Sequence, residues 1–154
     1  MTVRRTGNSP SDVEKLANDS DSSSFAQLLG LMTIEAHRGY ALSSLRLSEK
    51  KHVNFHGGTH GAAIFAVADH ACGVCGNSLG RKAVLVNSSM NYIANPVLGS
   101  TVEAEARMIH EGNKAGTMLV NVKDSDGKLL AHCQATVYFL SGSENNKKGE
   151  LLHK

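Results

Sequence analysis

His52-Val-Asn-Phe-His-Gly-Gly-Thr-His-Gly61, running directly into Ala62-Ala-Ile-Phe-Ala-Val-Ala-Asp-His-Ala71, is the stretch on which the reading of this chain turns. From Gly61 to Leu79 the residues are apolar nearly all round, a pattern that a solvent-facing helix does not tolerate and that a helix wrapped in sheet requires. Asp69 is the single carboxylate in it. Burying a carboxylate is costly unless it is paired or hydrogen-bonded, so Asp69 is either a satisfied structural acid or part of a reaction site. In the preceding loop Gly57 and Gly58, with Gly61 at its end, let backbone approach a ligand closely, and the helix start offers free N–H groups to negative charge.

Working outward, Phe25-Ala-Gln-Leu-Leu-Gly30 reads as a short amphipathic helix stopped by glycine. Met32–Ala36 and Gly39–Leu47 read as a hairpin about His37-Arg38-Gly39. Beyond the long helix the sequence alternates with period two, the signature of half-buried antiparallel strands. One strand covers Val84 to Ile93 before Asn95-Pro96. In Thr101–His110, Val102, Ala104, Ala106 and Met108 oppose Glu103, Glu105 and Arg107. Thr117–Lys123 alternates likewise, and Ser125-Asp126-Gly127 turns the chain into Leu129–Phe139, with Leu129, Ala131, Cys133, Ala135 and Val137 on one face. The class is α+β, an antiparallel sheet of five to six strands curled around one long central helix. Residues 24–140 form the domain. Residues 1–23 read as a polar, partly ordered segment with a turn or two of helix around Asp12–Ala17, and 141–154 as a polar, disordered tail.

A chain of 154 residues with 41% hydrophobic and 19% charged content is one ordinary globular domain. A net charge of +2 and 5% aromatic content lack the basic stripe and stacking groups of a nucleic-acid binder. No apolar run is long enough for a bilayer, and the N-terminus lacks a secretory core, so the expectation is a cytoplasmic protein with neither nucleic-acid nor membrane partners. Three cysteines are an odd number without a disulfide framework. Cys72-Gly-Val-Cys75 has redox or zinc spacing, but its mid-helix place in an apolar run favours core packing. His56, His60 and His70 do not share the helix face that i, i+4 ligation uses, so no metal site is expected.

On these residues the chain resembles the hotdog-fold acyl-CoA thioesterases, in their phenylacetate-degradation (PaaI-like) branch. The likeness runs from Ser24 to Leu140. It rests on Phe25–Leu31, His52-Val-Asn54, Gly57, His60-Gly61, Ala68-Asp69 and Asn95-Pro96-Val-Leu-Gly99, with the Asn seven residues before the helix-start glycine and the Asp eight after it. Ala62 departs from the pattern, which usually has a second glycine there, and the strand after the helix leaves Asn87 and Ser88 both open as its polar contribution to the site.

The resemblance implies thioester hydrolysis, with CoA part of the substrate and no cofactor. The expected catalytic set is the Gly61 N–H as clamp on the carbonyl oxygen, Asp69 as general base or nucleophile, and Asn54 to orient water or thioester. His60 and His52 are supporting residues, and Ile64, Phe65, Met90 and Tyr92 the expected acyl pocket, for a small aromatic or medium-chain group. Eight residues of helix rise about 12 Å, so Asp69 cannot meet the Gly61 N–H of its own chain. A two-fold pair with antiparallel long helices brings them together, making a homodimer obligatory; the family further implies a homotetramer. Two rival readings are a non-catalytic acyl-CoA-binding module and a hotdog enoyl-thioester hydratase, the latter weakened by a loop without proline.

Overall fold

The computed structural model describes residues 9–140, so the tail expected at 141–154 lies outside the described residues. The elements are α1 (Pro10–Asp21), α2 (Ser24–Leu29), β1 (Leu31–His37), β2 (Tyr40–Arg46), α3 (Gly61–Asn77), β3 (Ala83–Tyr92), β4 (Thr101–Glu111), β5 (Ala115–Asp124) and β6 (Leu129–Phe139). The strands form one sheet in the order β1-β2-β4-β5-β6-β3, every neighbouring pair antiparallel. This is the hotdog architecture expected, with the sheet packed against α3.

The hairpin is in place, running from Leu31 opposite Leu45 to His37 opposite Tyr40. Gly30 ends α2 with φ 86°, a left-handed turn that a side chain resists and glycine adopts freely. Val102, Ala104 and Ala106 of β4, Met118, Val120 and Val122 of β5, and Ala131, Cys133 and Ala135 of β6 are buried under α3. Ala63, Ala66, Val67, Ala68 and Ala71 face them from the helix. Small side chains on both surfaces let helix and sheet approach closely, while Leu45, Leu79 and Leu130 fill the margins; each fully buried leucine contributes roughly 2 kcal/mol.

Three features differ from the expectation. First, α1 is a full 12-residue helix rather than a turn or two. Its start is fixed by a capping box: the Ser9 hydroxyl accepts from the Asp12 N–H and the Asp12 carboxylate accepts from the Ser9 N–H, while Val13 is buried. Second, α3 is not enclosed. Ala62, Asp69 and Gly73 are exposed and Phe65 half-buried along one stripe, because one curled sheet covers only part of a helix's circumference. Third, bulges displace the alternation at four places, two of which change which residue faces α3. The pairing steps from Leu85 to Asn87 past Val86, and from Val122–Ala131 to Lys123–Leu129 past Leu130, which makes Leu130 rather than Leu129 the buried residue.

Candidate active site

The loop from His52 to His60 folds back on itself. The His60 N–H donates to the His52 carbonyl at 2.7 Å, the Asn54 N–H to the Gly58 carbonyl at 2.8 Å, and Val53 bridges Thr59. Asn54 organises its tip: the carboxamide oxygen accepts from the N–H groups of His56 (2.9 Å) and Gly58 (3.1 Å), and the amide donates to the Thr59 carbonyl (3.2 Å). At Gly58 the loop passes close to Asn95, and a Cβ there would lie 2.9 Å from its amide nitrogen and push that side chain aside. The buried Thr59 hydroxyl donates to the Pro96 carbonyl, tying the loop to the segment after β3.

His52 is 2% exposed. Its Nδ1 accepts from the Ser48 N–H at 2.9 Å, and its Nε2 lies 3.0 Å from the Leu29 carbonyl, to which it donates. The ring therefore acts on the loop and the end of α2 rather than on a ligand. His52→Ala is expected to lower the unfolding free energy by about 3 kcal/mol, through a cavity and two orphaned backbone groups, as read by urea denaturation.

His60 caps α3. Its Nδ1 accepts from the Ala62 N–H at 3.0 Å and its carbonyl accepts from the Ala63 N–H at 2.9 Å. Among the described residues no acceptor takes the Gly61 N–H, which stands at the positive end of the helix. Gly61 opens onto a cleft of about 280 Å³ lined by Thr59, Gly61, Ile64, Tyr92, Ile93, Ala94, Asn95 and Pro96. The Tyr92 hydroxyl donates to the Gly61 carbonyl at 3.3 Å, and the ring edge would meet a Gly61 Cβ at 3.4 Å.

The structure thus gathers Gly61, Ile64 and Tyr92 at one cleft, while Asn54 and His60 do not line it and instead hold the adjoining loop and helix start. Phe65 and Met90 do not line it; Met90 packs against the core instead. The bulge at Val86 sets which of the two β3 alternatives faces α3. Ser88 pairs with buried Ala135 and its hydroxyl lies 3.0 Å from the Cys133 sulfur, on the α3 side, while exposed Asn87 pairs with Thr136 on the opposite face. Ile93, Ala94 and Asn95 were missed as cleft residues. The strand-breaking Asn95-Pro96 was their signal in the sequence.

The cleft contains no carboxylate. Asp69 sits two turns farther along α3, on the open stripe. Partial burial raises its pKa above the ordinary aspartate value, and the neighbouring His70 opposes that rise. The three cysteines are free and buried; burial pushes the Cys75 thiol up to about 12 and the Cys72 thiol upward as well, which suits core packing and not redox work. Arg81 is engaged by Glu111, by the Gly112 and Asn113 carbonyls and by the Phe139 ring.

A model of the thioesterase superfamily matches residues 56–131. A putative esterase of Archaeoglobus fulgidus is 36% identical over 112 residues, 73% of this chain and 72% of the relative. The acyl-coenzyme A thioesterase PaaI of Escherichia coli is 25% identical over 77% of this chain and 84% of its own. The structure of E. coli PaaI, from the phenylacetic acid degradation operon, superposes with a TM-score of 0.80 at 23% identity, covering 84% of this chain and 94% of that one. A Streptococcus mutans protein bound to acetyl CoA superposes with a TM-score of 0.68 at 25% identity, covering 71% and 88%. With this fold, with these relatives, and with the phenylacetic acid degradation protein PaaI of Thermus thermophilus 30% identical over 77% of this chain and 100% of that one at a TM-score of 0.73, the chain belongs to the thioesterase superfamily, in its hotdog-fold, PaaI-like branch, and is a thioester hydrolase.

Proposed function

We propose that this enzyme hydrolyses acyl-CoA thioesters to the free acid and CoA in a site shared by two chains. The observation that carries the reading is the mismatch within one chain: a cleft with an unpartnered N–H and no acid, and an acid on an uncovered stripe of the same helix. Along the helix axis the two are about 12 Å apart. A second copy with its α3 antiparallel brings the Asp69 of one protomer to the Gly61 of the other, and the small residues Ala62 and Gly73 on the stripe permit that approach. The sheet edge at β3, where Val84 and Val86 remain exposed, favours the same pairing.

In the reaction the thioester oxygen rests on the Gly61 N–H and gains negative charge as the carbonyl is attacked, where the helix dipole stabilises it. Asp69 takes the proton of the attacking water, or attacks first to give an anhydride that water then opens; in both routes the C–S bond breaks and CoA leaves as its thiolate. Asn54, with one amide hydrogen left beyond its loop bonds, orients water or thioester. We assign Ser88 rather than Asn87 to this site because it faces α3. No cofactor is needed. Ile64 and Tyr92 shape the acyl end for a small aromatic or medium-chain group. Dimers pairing into a tetramer complete the proposed assembly, and three unpaired thiols favour the reducing cytoplasm.

The test is release of free thiol from a panel of aryl and straight-chain acyl-CoA esters. Turnover is expected on at least one class; binding without thiol release would point to a ligand-binding module, and water addition to an enoyl ester to a hydratase. The pH profile follows from the direction of the Asp69 shift. Only the carboxylate accepts a proton, so activity rises with pH through the acid's midpoint, and because that midpoint is raised the acid limb of kcat/KM should lie above the ordinary aspartate value. An acid limb at or below that value contradicts the assignment.

A further inference from the structure

Asp21 ends α1, where the helix dipole disfavours a negative charge. Its partners compensate. The Thr33 N–H lies 3.0 and 2.9 Å from its two oxygens, the Thr33 hydroxyl donates to Oδ1 at 2.7 Å, and His70 Nε2 reaches the same Oδ1 at 2.9 Å. Thr33 Oγ1 is also 3.3 Å from His70 Nε2. The His70 side chain is only 6% exposed. One cluster thus joins α1, β1 and α3 at the residue that follows Asp69, and nothing in the loop chemistry above uses it.

We propose that Asp21 and Thr33 hold His70 as a positioning residue for Asp69, fixing the middle of α3 against β1. The inference rests on the role given to Asp69. Within hydrogen-bonding reach of the ring are Asp21 from α1 and Thr33 from β1; Asp69 and Cys72 are its near neighbours along α3, and Glu14 of α1 and Glu35 of β1 border the groove beside Thr33. The buried residues turned towards α3 from β2, β4 and β5 are uncharged: Ser43, Ala104, Ala106, Met118 and Val120. Of the groups at this point, His70 is the one whose attraction counters the effect of burial on Asp69.

His70→Gln in the full chain keeps an N–H for Asp21 and removes the ring whose attraction lowers the Asp69 pKa. With the panel ester that wild type cleaves fastest, KM is expected to hold within about twofold while kcat falls about threefold on the plateau and about tenfold on the acid limb, the limb moving to higher pH. Asp21→Asn, which loosens the hold on the ring, is expected to move the limb the same way. The ¹³C signal of the Asp69 carboxyl should report the same displacement without reference to turnover. Acid limbs of both variants superimposing on wild type, with Asp69→Asn inert, overturn this inference and leave the base assignment standing. Turnover surviving in Asp69→Asn overturns the base assignment and this inference with it.

Discussion

Asp69→Asn is expected to cut kcat for thioester hydrolysis by about three orders of magnitude, with KM changed little. The substitution keeps the volume of the side chain and replaces the basic oxygen by an amide, so a general base and a nucleophile are lost alike. Folding should survive. Asp69 accepts no hydrogen bond within the described residues, and it lies on the exposed stripe of α3 rather than in the core. Circular dichroism and sedimentation should match wild type, and stability should rise slightly if it moves at all, since the native state raises the acid's pKa and so disfavours its charge. A folded mutant retaining a tenth of wild-type turnover would remove Asp69 from the chemistry.

Gly61→Pro is expected to reduce kcat by about 10²- to 10³-fold, the cost of losing one oxyanion donor. Proline deletes the N–H while suiting the place: it is favoured in the first turn of a helix, and His60 before it already has the extended geometry, φ −71° and ψ 130°, that a following proline demands. Gly61→Ala is the control for bulk. Its Cβ would meet the Tyr92 ring at 3.4 Å, an ordinary contact, and it retains the N–H, so its loss should stay within about tenfold. Equal defects in the two variants, measured as kcat against one acyl-CoA ester, would make the position a matter of space and not of hydrogen bonding.

The long elements were legible because their periodicity is dictated by one large burial surface. Gly61 to Leu79 reads as helix from its apolar residues, against an observed Gly61–Asn77, and β4, β5 and β6 read as strands from their alternation. Alternation fails where one residue is added to a strand. The bulge at Val86 turns Ser88 rather than Asn87 towards α3, and nothing in the composition of β3 announces it. Asp69 read as buried because its neighbours are apolar, yet a single chain leaves it on an open stripe; the sequence records the surface that an assembly would cover, not which chain covers it. The capping box of α1 was present as Ser9 and Asp12 but obscured by its polar surroundings. Asp21 was not legible at all as a partner of His70, since they meet only through folding, 49 residues apart.

Mixing two inactive variants asks whether the site is shared. Asp69→Asn chains and Gly61→Pro chains, each nearly inert alone, should form mixed dimers when co-expressed, half of all dimers if pairing is random. Each mixed dimer carries one site with an intact Gly61 N–H from one protomer and an intact Asp69 from its partner. Thiol release should therefore return to about a quarter of the wild-type rate per chain. A mixture no more active than its parents, with mixed dimers demonstrated by mass spectrometry, would contradict a site built from two chains.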